Sequence, residues 1–91
     1  MILTERNTGE CRIYAGAMEG THGDGFIAAV VVCLLPAAGR PAREIHRDES
    51  LACGHRWRTH ESAVAYALLK GQEAADRVRG ANRSLSLQQA A

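Results

Sequence analysis

The sequence predicts an α+β domain: a three- to four-stranded antiparallel β-meander with one C-terminal α-helix packed on one face. Three observations predict it. Residues 10–17 alternate between apolar and polar, residues 26–35 form an apolar, β-branched run closed by Pro36, and Thr59 opens a helical periodicity that reaches Gly80. With 91 residues the chain makes one domain. A domain of this size buries only about 60–65% of its unfolded surface, so a single small core is all it can build.

Residues 1–9 read as a leader or a weak edge strand, residues 10–80 as a single α+β domain, and residues 81–91 as a flexible polar tail. In the first firm strand, Cys11, Ile13, Ala15 and Ala17 share one face, with Glu10, Arg12 and Tyr14 on the other. Gly20, Gly23, Asp24 and Gly25 supply the positive φ and side-chain turns of a hairpin loop. The next strand, 26–35, is apolar on both faces and so belongs at the centre of the sheet, covered on both sides. A single helix covers only one face. The other then needs a partner.

Pro36, Gly39 and Pro41 break the chain. Residues 42–47 and 51–58 read as a second hairpin around Asp48, Glu49 and Ser50. A three-residue loop sets Arg47 opposite Leu51, Ile45 opposite Cys53 and Arg43 opposite His55, which gathers Ile45, Leu51, Cys53 and Trp57 on the core face. Glu44, His46, Ala52, Gly54, Arg56 and Arg58 fall on the opposite face.

Thr59 is the expected N-cap of the helix, and Glu61 in the first turn complements its dipole. Val64, Ala67, Leu68, Gly71, Ala75 and Val78 form the packing stripe, with Glu73 and Arg77 placed for an i,i+4 ion pair. Gly71 costs about 1 kcal/mol against alanine in a helix, and a close approach to the sheet is the reason to keep a hydrogen there. Arg77, Arg79 and Gly80 mark the helix end.

The sequence contains no catalytic, cofactor or metal motif, and no cofactor is expected. His46, Cys53, His55 and His60 include the residue types zinc prefers, yet the expected register sends His46 and Cys53 to opposite faces. Cys53 and His55 share a face as a nucleophile and base would, but a small buried cysteine is the plainer reading. The glycine-rich loop lacks the Gly-Lys-Ser/Thr ending of a phosphate loop and precedes a strand, so it is a turn. Three widely spaced cysteines without a CxxC pair, and no apolar run approaching the ~20 residues of a bilayer span, point to a cytoplasmic protein with reduced thiols.

Net charge is +1, so there is no overall pull toward nucleic acid or membrane. The local basic concentration is the second hairpin, where Arg43, Arg47, Arg56 and Arg58 make a nucleic-acid or partner surface, partly neutralised by Glu44, Asp48 and Glu49. Tyr66 and Leu69 lie off the packing stripe of the helix. With Val31 on the two-faced central strand they form a self-association surface, which predicts a homodimer.

The Arg56-Trp57-x-Thr59-x-x-x-Ala63 start of the helix and the strand-strand-strand-strand-helix order over residues 10–79 resemble small bacterial domains of unknown function, similar to double-stranded-RNA-binding-like and HicB-like antitoxin folds. The resemblance implies a bacterial source and the α+β architecture. RNA binding is not carried over, because Thr59, Glu61 and Ser62 stand where that family has lysines. The expected function is therefore a non-enzymatic protein-interaction module acting as a homodimer, with a nucleic-acid-binding regulator as the alternative.

Overall fold

A computed structural model describes the backbone of residues 2–90 and the side chains of residues 3–78 and 80. The chain forms β1 (Ile2–Thr8), β2 (Cys11–Glu19), β3 (Phe26–Leu34), β4 (Arg43–Asp48), a single turn α1 (Leu51–Gly54), β5 (Arg56–Trp57) and the long helix α2 (His60–Ala90). The strands make one antiparallel sheet in the order β1-β2-β3-β4, with β5 also on β3, so the fold is the α+β meander expected.

Residues 2–8 pair along their whole length with β2, from Ile2 opposite Ala17 to Thr8 opposite Cys11. Gly9, at φ +57°, turns the chain between them. The β2–β3 hairpin closes through Gly20, whose N–H donates to the Gly25 carbonyl at 2.8 Å.

The core lies between the sheet and α2. Cys11, Ile13, Ala15 and Ala17 of β2 and Ala28, Val30, Val32 and Leu34 of β3 are buried against Ala63, Val64, Ala67, Leu68, Ala74 and Ala75. Helix and sheet approach closely at Gly71: a Cβ there would lie 2.5 Å from the Ile13 Cγ2 and 3.0 Å from the Val30 Cγ2. The helix starts as expected, with the Ser62 N–H donating to the Thr59 hydroxyl oxygen at 3.1 Å. It ends elsewhere. Its backbone passes Gly80 and continues to Ala90, and the expectation of a flexible tail over 81–91 otherwise falls on side chains outside the described residues. Glu73 pairs with Lys70 at 3.2 Å rather than with Arg77.

The second hairpin does not exist. β4 and β5 lie end to end along the same edge of β3, Val30 facing Asp48 and Ile27 facing Arg56, so three steps on β3 oppose eight on the other chain segment. The excess is looped out in α1, where Ala52, Cys53 and Gly54 all have positive φ (52°, 57° and 81°). This left-handed turn buries Leu51 and leaves Cys53 exposed, so Cys53 does not join Ile45 and Leu51 in the core. A bulge shifts the register between Val32 and Cys33, which face His46 and Glu44 with Ile45 left between. The strand alternation inverts there. Glu44 and Arg47 therefore share the helix-free face, whereas strict alternation would have separated them.

Candidate functional site

The helix-free face of the sheet carries an apolar surface that no described element covers. Cross-strand pairing builds it from side chains opposite the core: Tyr14 faces Val31, Gly16 faces Ala29, Met18 faces Ile27, and Leu3 of β1 faces Gly16. The small Gly16–Ala29 pair leaves a depression of about 370 Å³, walled by Leu3, Tyr14, Met18, Val31 and Cys33. Leu3 stands beside it, 61% exposed.

Charges ring this face, and its arginines have partners. The Arg47 Nε donates to Glu44 at 2.8 Å and its Nη1 to Glu49 at 2.6 Å, the pair of carboxylates holding the guanidinium above its usual range. Arg12 donates to the Asn7 side-chain oxygen at 2.9 Å, and its hydrogen bond with Tyr14 raises it likewise. Arg56 lies 3.4 Å from Asp24.

The four arginines of the expected basic hairpin are dispersed. The bulge puts Arg43 on the helix side of β4 and Arg47 on the helix-free side, while Arg56 and Arg58 sit at the other end of β3, around a polar hollow of about 350 Å³ with Gly23, Asp24 and Gly25. Among the described residues Arg43 and Arg58 have no carboxylate partner. The three self-association residues are also apart. Val31 lines the helix-free face, whereas Tyr66 on α2 packs on Trp57 at 4.8 Å between ring centroids, with the Lys70 ammonium 5.5 Å from its ring, and Leu69 points outward from the helix, 56% exposed.

His46, Cys53, His55 and His60 occupy four separate settings. His55 meets the Trp57 ring edge-on at 4.5 Å, and His60 meets Phe26 at 5.9 Å with its Nε2 3.1 Å from Glu61. Among the described residues no group of three His, Cys, Asp or Glu side chains is placed to hold a metal. Trp57 is the core-side anchor expected, half-buried opposite Phe26.

Sequence reasoning missed Leu3, Tyr14, Met18 and Cys33 as members of one surface. The signal for Tyr14 was its place opposite Ile13 and Ala15 in the alternation of β2; Leu3 carried none, because only pairing with β2 puts it beside Gly16. No family model, curated protein or solved structure is significantly similar to this chain. No helix among the described residues is long and apolar enough to cross a membrane.

Proposed function

We propose that this is a non-enzymatic interaction module of the bacterial cytoplasm that works as a homodimer and engages a protein partner. One observation carries the reading: both faces of the sheet are apolar and α2 covers only one. An uncovered face of this kind normally marks an association site. The polar groups around it are committed to one another, Arg47 to Glu44 and Glu49, which suits a contact surface better than a reactive centre. The test is the solution mass of the full chain by light scattering and sedimentation across a concentration series. A mass of two chains that falls to one on dilution supports the reading; a single-chain mass throughout removes it.

The second reading, a nucleic-acid-binding regulator, is favoured by the hollow between Arg56 and Arg58 and by the absence of a carboxylate partner for Arg58 among the described residues. It predicts binding to DNA or RNA that weakens steeply with salt and disappears in an Arg56→Ala, Arg58→Ala double variant. Equal binding by parent and variant would sink it.

A further inference from the structure

Resting on the homodimer reading, we propose that two copies meet through the helix-free faces of their sheets, about a two-fold axis that seats Leu3 of each copy in the Gly16–Ala29 depression of the other. A two-fold interface uses the same patch on both subunits, so one patch must carry both the protrusion and the recess that receives it. This face does: the exposed Leu3 stands beside the depression whose floor is Gly16 and Ala29. Its size also fits. Strands of seven, nine, nine and six residues at ~3.3 Å per residue and ~4.8 Å apart present a face of roughly 500 Å² before side-chain relief is counted. Two such faces together bury about 1,000 Å², the lower bound for a specific interface.

The charge around the face argues against a polyanion. Arg47 and Arg56 are already matched by Glu44, Glu49 and Asp24, which leaves each rim one net negative charge, a small repulsion for two identical rims to overcome. A polyanion would find its countercharge occupied. The other surfaces are poorer seams. β1 exposes Glu5 and Arg6 along its edge, and the β4–β5 edge is broken by the bulge at Ile45 and the α1 excursion, both devices that block edge-to-edge pairing. On the helix Tyr66 is taken by Trp57 and Lys70, which leaves Leu69 as the one exposed leucine of α2 among the described residues.

Leu3 and Leu69 are thus comparably exposed leucines on opposite sides of the molecule, and the test compares Leu3→Glu with Leu69→Glu by sedimentation. Each dimer contains two copies of a substitution, each worth about tenfold, so Leu3→Glu weakens the dimer about 100-fold while Leu69→Glu leaves it unchanged. A native-chain readout accompanies it, because Cys11 is buried in the core, Cys33 lies half-buried on the helix-free face and Cys53 is exposed. Alkylation of Cys33 relative to Cys53 then rises as the dimer is diluted apart. Loss of the dimer in Leu69→Glu and its survival in Leu3→Glu would overturn the face assignment and leave the homodimer standing. So would Cys33 reactivity that stays constant while the mass falls from two chains to one, which decides the matter even if Leu3→Glu unfolds. A parent chain monomeric at every concentration removes both proposals.

Discussion

At Gly71 the backbone of α2 comes close enough to the sheet that the missing side chain is structural. A methyl group at this position would press on the Ile13 Cγ2 at 2.5 Å and the Val30 Cγ2 at 3.0 Å, two buried groups with little room to move. Overpacking of this kind costs about 1–3 kcal/mol, which outweighs the ~1 kcal/mol that alanine gains over glycine in a helix. Gly71→Ala therefore lowers stability in urea unfolding. Gly80→Ala, where nothing lies within 4 Å, raises it by up to about 1 kcal/mol, and the opposite signs separate packing from propensity. Gly71 was legible in the sequence, because a glycine in the middle of a helical packing stripe carries a propensity cost that a close backbone approach offsets. Leu3 was not legible, since its role depends on which residue of β2 it faces.

The β4–α1–β5 segment shows where element-level reading stops. Apolar residues at Ile45, Leu51, Cys53 and Trp57 have the spacing of two paired strands, and local pattern favours the hairpin. The chain instead spends two non-glycine residues in left-handed conformation, each at about 1 kcal/mol, and buries Leu51 while β5 extends the edge of β3. Burial of one leucine offsets much of that strain. Leu51→Ala is expected to cost about 2–4 kcal/mol, and Ala52→Gly to raise stability by about 0.5 kcal/mol by relieving the positive φ, both read by thermal and denaturant unfolding. If Ala52→Gly destabilised the fold, the left-handed turn would be wrong. The bulge at Ile45 belongs to the same scale: it sets Arg47 on the helix-free face, where Glu44 and Glu49 neutralise it, and leaves Arg43 on the helix side, opposite Leu34.

Across the whole molecule, one helix covers one face of a sheet whose central strand is apolar on both. A domain of this size has little stability to spare, so covering the second face affects folding as well as recognition. Association that occurs only in the folded state stabilises it by mass action. The midpoint of thermal unfolding is therefore expected to rise with protein concentration in the parent and in Leu69→Glu, and to be independent of concentration in Leu3→Glu. A parent midpoint unchanged over a roughly hundredfold concentration range would contradict linkage between folding and assembly.

The sequence by itself determined the meander, the central place of β3, the capped start of α2, the packing stripe with Gly71, and the existence of an uncovered apolar face. These follow from periodicity and from residues whose backbone or capping chemistry is local. Tertiary structure alone decided what lies on that face and what does not: the pairing of β1 that brings in Leu3, the bulge that turns Arg47, and the left-handed turn that buries Leu51 and exposes Cys53. Each depends on strand register, of β1 on β2 across the Gly9 turn and of β4 and β5 on β3. A one-residue change in that register sends every side chain to the opposite face, and no local pattern records it.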